Sequence, residues 1–444
     1  MYSFKLKQTV VIILLSLLTL SAGAQTKRLS LEEAVDLGMS YNKQLKVSQS
    51  KVAVSDNRYK QELGLLAPAI SVNSSITHNS TNIPVITLPA GVFGPSSGVL
   101  SATLQNYYLN TLNISQVVFA GLRGWNTLAI TKDQTRAAQY DLAVDKLNTR
   151  NNIILAYYNH YKLTESKKLV SENLKVMGLR LKDAQNLQAT GMALRNDVLK
   201  VQLAISNLQQ SADEVQSAID VSNYNMNIML GLPDSTKIEI ADAGLITSKA
   251  EFDVNGGLQN ALHKRPEVKA ADVRLGISHR QLKIARGFYS PVISGGFNYA
   301  YNNPNQRVFF EPKADFYHSW DIGVRLSWNI TNLFTNQFQT KEAKLNIQQA
   351  EVMHDQLSDN IKMEVNSNYA AYKLALDKIQ LSRESVTQAQ ENRRMTKDQY
   401  DNGIKNITDM LDADNLVTVS EINLLNAQID AEIAYAKLIK STAN

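Results

Sequence analysis

From Ser319 to Ile330 the chain alternates without a break. Trp320, Ile322, Val324, Leu326, Trp328 and Ile330 are apolar, whereas Ser319, Asp321, Gly323, Arg325, Ser327 and Asn329 are small or polar. Side chains of a β-strand alternate faces with period 2, so the segment predicts a strand with one apolar and one wet face. Residues 292–301 do the same, with Ile293, Phe297, Tyr299 and Tyr301 on one side and Ser294, Gly296 and Asn298 on the other. Two more strands are expected over 69–78 and 107–119, joined by a loop rich in Pro, Gly and Ser around 88–98. Elsewhere the punctuation disappears: no proline occurs in 96–232 or in 313–444. Proline costs about 3 kcal/mol inside a helix, so these stretches predict very long helices. They are placed at 125–189 and 197–230 in the first stretch and near 336–401 and 409–440 in the second; outside these stretches, 31–64, rich in the helix formers Leu, Ala, Lys and Gln, and a segment near 254–287 are also expected to be helical. At 1.5 Å per residue the 125–189 helix runs about 100 Å. The chain turns at Gly191, and the run Met229-Leu230-Gly231-Leu232-Pro233 ends the return helix with a glycine cap and a proline stop.

The layout occurs twice. Val35-x-x-Gly38-Met39 matches Leu258-x-x-Ala261-Leu262, and Pro68-Ala69-Ile70-Ser71 matches Pro291-Val292-Ile293-Ser294 at the same separation. Farther on, at a shorter separation, Gly191 matches Gly403, Asp197 matches Asp409 and Leu199 matches Leu411. Each unit reads as a helix, two strands and a long helical hairpin, at 25–245 and 246–444. Within a unit the two shorter helices together equal the long one, which predicts a rod with strands at one end.

Residues 1–24 read as an export signal. Lys5 and Lys7 precede the apolar run Val10–Leu20, and Ala22-Gly23-Ala24 supplies a small-x-small cleavage site. No other stretch approaches transmembrane-helix length, so entry into a membrane requires a β-barrel. Alternating strands also suit a soluble sandwich, but export and the lack of a second sheet favour a barrel, with Trp and Tyr as its girdles. Four strands cannot close. Two copies would give eight strands and a filled lumen; three would give twelve and room for water. Closed rings are built head to tail, which makes a homotrimer the simplest solution.

Composition removes other classes. The absence of cysteine excludes disulfides, thiolate metal sites and a cysteine nucleophile. A formal charge of +5 on 444 residues gives little reason to expect nucleic acid. The six histidines show no close ligand spacing, and there is no P-loop, dinucleotide-binding glycine pattern or nucleophile elbow. The chain is therefore expected not to be an enzyme and to need no cofactor.

Together the signal, duplication, strand pairs and hairpin turns resemble the TolC-like outer-membrane efflux proteins. The local marks are Leu29–Leu45, Met226–Pro233 and Asn402–Asn415. The resemblance implies a homotrimer in the outer membrane of a Gram-negative bacterium. Its fold would be mainly α with β: a 12-stranded β-barrel, then an α-helical barrel across the periplasm. It also implies a periplasmic adaptor and an inner-membrane pump or ABC transporter. One departure stands out: the family's Leu-Phe-Asp-Gly-Gly after a strand is here Val118-Phe119-Ala120-Gly121-Leu122 and Ile330-Thr331-Asn332-Leu333-Phe334. The rival of another class is a trimeric coiled-coil tether or adhesin without a channel.

Candidate site residues cluster at the hairpin turns. Asp197 and Asp409 follow the turns, where Asp caps free helix N–H groups. Asp412 has Lys200 as its counterpart, so capping does not require it. Asp409 and Asp412 share a helix face, and a ring of such carboxylates favours cations. The pair matches the acidic ring at the periplasmic entrance of the resembled family. By the same resemblance Tyr400 and Lys405 fall where that family has gate residues, with Asp197 as their partner. Gly191, Met192, Gly403 and Ile404 form the expected adaptor-contacting turns.

Overall fold

A computed structural model describes residues 26–80, 87–91, 98–99, 104–241, 245, 252–305, 307 and 314–443; the expected export signal lies outside them. In chain order the elements are β1 (Thr26–Leu29), α1 (Leu31–Tyr41), α2 (Lys43–Gly64), β2 (Ala69–His78), β3 (Thr87–Leu88), β4 (Gly98–Val99), β5 (Asn106–Phe119), α3 (Arg123–Ala189) and α4 (Arg195–Leu230). There follow β6 (Lys237–Ile240), α5 (Val254–Lys264), α6 (Pro266–Gly287), β7 (Val292–Asn303), β8 (Tyr317–Ser327), α7 (Asn332–Asp401) and α8 (Ile407–Thr442). The four expected strands and the long helices fall within a few residues of their predicted bounds. The chain divides into two compact units: one holds Ser50–Gln139 and Ala270–Asp355, the other the remaining residues.

The first of these units carries the sheet, in the order β2-β5-β7-β8 with every neighbour antiparallel. Register keeps the faces apart. Phe297 lies opposite Ile322 and Tyr299 opposite Trp320, while Gly296 faces Gly323 and Asn298 faces Asp321. The apolar face is open, with Val72, Ile76 and Ile322 at 74% exposure and Val324 at 79%. At the corner after β5, Gly121 has φ +63° and Leu122 φ +59°. Leu122 thus stands in the left-handed region where the resembled family has glycine, a strain of roughly 1–2 kcal/mol. Gly121 lies against the backbone of Gly287, where a Cβ on Gly287 would come 2.6 Å from the Gly121 carbonyl oxygen. Arg123 then stacks its guanidinium on Phe288, 4.2 Å from the ring centre.

The other unit is built on helices with one element the sequence did not announce: β1 pairs in parallel with β6. The core beside this pair contains Leu29, Ala34, Ile153, Tyr157, Met226, Leu230, Ile238 and Ile429. Two of its buried polar side chains are partnered. The Tyr157 hydroxyl donates to the Leu29 carbonyl at 3.2 Å, and the His160 imidazole bridges Ser222 Oγ at 3.1 Å and the Ile238 carbonyl at 3.4 Å. Burial pushes the His160 pKa down, partly opposed by that carbonyl.

Two expected helices are each divided. The 31–64 helix stops at Asn42, whose side chain accepts the Leu45 N–H at 3.0 Å and so caps a new start. The 254–287 helix breaks at Arg265, because the preceding residue of a proline avoids the helical region and Pro266 opens the next helix. Arg265 is buried there and bonds Glu267 at 3.0 Å, Glu364 at 2.6 Å and the Ser441 carbonyl. At the end of α4 the expected cap is present: Gly231 has φ +69°.

Candidate functional site at the helical hairpin turns

The two turns share one hydrogen-bonding scheme. Gly191 (φ +75°) lets the Met192 N–H reach the Leu187 carbonyl at 2.8 Å, and Gly403 (φ +70°) lets the Ile404 N–H reach the Gln399 carbonyl at 2.8 Å. A residue with a Cβ is strained at such φ, so glycine is required. Beside them Met192, Leu194 and Ile404 are 77%, 72% and 75% exposed. Three large apolar side chains in water on neighbouring turns suit a covering partner.

The turns differ in how the next helix begins. At α8, Asn406 accepts the Asp409 N–H at 3.1 Å and Asp409 Oδ2 accepts the Asn406 N–H at 3.2 Å, a reciprocal capping box. At α4 the equivalent position is Leu194, which has no side-chain acceptor; Asp197 Oδ2 accepts its N–H at 3.1 Å. Both aspartates therefore satisfy helix starts, as their position predicted. Asp412 is exposed and takes no part in capping. Its counterpart Lys200 donates to Thr408 Oγ1 at 3.0 Å, a direct link between the two turns.

Tyr400 packs on the cluster of Ala184, Val198, Val201 and Ile407. Its hydroxyl is buried with no hydrogen-bond partner among the described residues. Burial first, then the nearby Asp183 charge, raise its pKa; Asp401 and Asp197 add to this and Arg180 opposes it. Within one chain Asp197 bonds neither Tyr400 nor Lys405. Lys405 is half-buried.

The strongest polar contact of the region was not anticipated. Arg180 Nε donates to Asp414 Oδ2 at 2.9 Å, with the side chains 13% and 1% exposed, joining α3 to α8. Asp414 Oδ1 has no partner. The signal was there: Ile407, Met410, Asp414 and Val417 are spaced by three, four and three, all buried, so Asp414 occupies an apolar stripe. A charge in such a stripe calls for a counter-charge from the facing helix.

Among the described residues no group of three or more His, Cys, Asp or Glu could hold a metal, and no helix is long and apolar enough to cross a membrane. Residues 257–444 match the family model described as outer membrane efflux protein. The chain is similar to outer membrane efflux protein BepC of Brucella suis biovar 1 (strain 1330), 22% identical over 335 residues, 74% of this chain and 71% of that protein. Among solved structures, CusC, reported with its transmembrane channel formation, superposes with a TM-score of 0.78 at 16% identity over 96% of this chain and 95% of that one. The outer membrane protein VceC of Vibrio cholerae gives 0.77 at 16% identity over 93% and 96%.

Proposed function

We propose that this chain, which belongs to the TolC-like family of outer-membrane efflux proteins, is the passive exit duct of a tripartite efflux pump or type I secretion system. It resides in the outer membrane of a Gram-negative bacterium, with helices extending into the periplasm. The observation that carries the duct is the sheet. It opens an apolar face and leaves β2 and β8 as unpaired edges among the described residues. Unpaired edges recruit strands and open apolar faces recruit lipid. Since β8 runs opposite to β2, a head-to-tail ring of copies joins them antiparallel, and three copies close twelve strands.

On this reading 25–245 and 246–444 are two copies of one ancestral unit. Asp409 and Asp412 from three chains form an acidic entrance ring, with Asp409 serving its helix cap as well. Tyr400 and Lys405, with Asp197 as their partner, form the gate latch at the entrance. Lys405 offers one ammonium where a guanidinium would offer a two-pronged clamp, so the latch is weak. The turns at Gly191, Met192, Gly403 and Ile404 meet a periplasmic adaptor, and an inner-membrane transporter supplies the energy.

The test is reconstitution. Heat-modifiable trimers in the outer-membrane fraction and stable pores in planar bilayers are expected. Asp409→Asn/Asp412→Asn pores should lose cation preference and block by multivalent cations. A water-soluble monomer without affinity for bilayers would refute the duct; a pore indifferent to both substitutions would refute the entrance ring.

A further inference from the structure

The wet face of the sheet is nearly free of charge. Along β2, β5 and β7 the residues that alternate onto it are neutral, and β8 contributes two charged groups, Asp321 and Arg325. Their circumstances differ. Asp321 Oδ2 accepts from Arg307 Nη2 at 2.7 Å and from Asn298 Nδ2 at 3.2 Å, and Arg307 also donates to the Trp320 carbonyl at 3.4 Å. Arg307, from the segment between β7 and β8, is thus folded back onto the wet face and cancels the Asp321 carboxylate.

Arg325 has no such partner: it forms no ion pair among the described residues and is exposed. Its cross-strand neighbour is the small, neutral Ser294. Between the Arg325 and Asp321 rungs lies the Gly296–Gly323 pair, and a hollow of about 440 Å³ spans the stretch, lined by Asn113, Asn298, Asp321 and Arg325. Four residues of strand separate the two charges by about 13 Å, beyond the screening length of about 8 Å at physiological salt. Asp321 therefore does not neutralise Arg325. One Asp against two Arg leaves each described sheet with a single uncompensated positive charge on its wet face.

We propose that Arg325 is a charge-selectivity residue of the barrel, placing one guanidinium per chain on the lumen wall as a station for solutes bearing phosphate, sulfate or carboxylate groups. The assignment rests on the trimeric-pore reading above. Guanidinium suits these groups because its planar fork pairs with two oxygens at once, and the glycine hollow beside it leaves room for an anion to approach. The duct then carries two zones of opposite sign in series: carboxylates at the helical turns and guanidiniums in the barrel.

The experiment is single-channel recording with inorganic tripolyphosphate added on the extracellular side, at about 0.1 M salt and again at about 0.01 M, where the screening length grows to about 30 Å. Wild-type current should fall, more strongly at low salt. Arg325→Gln should raise the half-blocking concentration at least about tenfold and shift the reversal potential toward cations; Arg325→Lys should keep most of the block. Arg307→Gln, which frees Asp321, should weaken the block in the same direction. Multivalent-cation block from the opposite side should be unchanged by Arg325→Gln. An open pore with equal tripolyphosphate block and reversal potential in wild type and Arg325→Gln would overturn the assignment alone. Absence of any wild-type current would overturn the pore reading and the assignment with it.

Discussion

Replacing Arg180 by Met is the sharpest perturbation of the helical turns. The substitution keeps a long apolar stem but removes the only counter-charge of Asp414 among the described residues, a carboxylate 1% exposed whose second oxygen is unpartnered there. Breaking a buried pair from one side costs about 3–5 kcal/mol. Arg180 is 13% exposed, so some water can reach the gap and the lower figure, about 3 kcal/mol, applies. That is about two orders of magnitude in the equilibrium for local opening of α8 away from α3. Native-state hydrogen exchange on the assembled protein reads this directly. Amides of residues 410–418 should exchange about a hundredfold faster in Arg180→Met, while those near Tyr157 and Ile238 should not change. The double variant Arg180→Met/Asp414→Leu, which replaces the pair by apolar groups, should recover most of the protection, since such replacements are often neutral. Unchanged exchange in the single variant, or a double variant as open as the single one, would refute the pair as the fastening between these helices.

Three further outcomes are expected. Gly287→Ala drives a Cβ to 2.6 Å from the Gly121 carbonyl oxygen and should deplete heat-modifiable trimers, whereas Gly276→Ala, with nothing within 4 Å, should not; equal trimer yields would contradict the close corner. Val324→Lys puts a charge on the apolar face, at about 2–4 kcal/mol near a bilayer midplane, and should abolish outer-membrane assembly while Thr111→Lys on the wet face is tolerated; matching phenotypes would argue against a lipid-facing side. His160, held neutral by burial, binds its proton less readily folded than unfolded, so its contribution is complete above pH 6.5 and is lost as pH falls below that value. Thermal scans should show a drop on acidification that His160→Gln reduces; parallel curves would show that another group governs the loss.

The parts legible in the sequence are those with a local period. Alternation over 292–301 and 319–330 announced β7 and β8, and exclusion of proline announced α3 and α7, because each pattern reports on neighbouring residues of one element. What escaped depends on distant partners or on a single residue. β1 and β6 are four residues each, too short for alternation to register, and their parallel pairing joins segments some two hundred positions apart. Asn42 reads as an ordinary helix residue until its side chain is seen taking the Leu45 N–H. Pro266 was visible, but a proline that opens a helix can be mistaken for one merely tolerated inside it. Asp409 and Asp412 drew notice because they are three apart on one helix face and match the acidic positions of the resembled family, whereas Asp414 was recognisable only from the apolar company it keeps.

Leu194 has a consequence for how the first turn behaves as a handle. The same site in the second turn holds Asn406, which steadies its helix from within; Leu194 contributes nothing of the kind and instead stands bare in water. Grip and stiffness are thus exchanged for one another at a single position. A surface that dehydrates Leu194 would gain adhesion from a loosely fastened tip able to adjust to it, and an asparagine there would yield a firmer tip that is harder to hold.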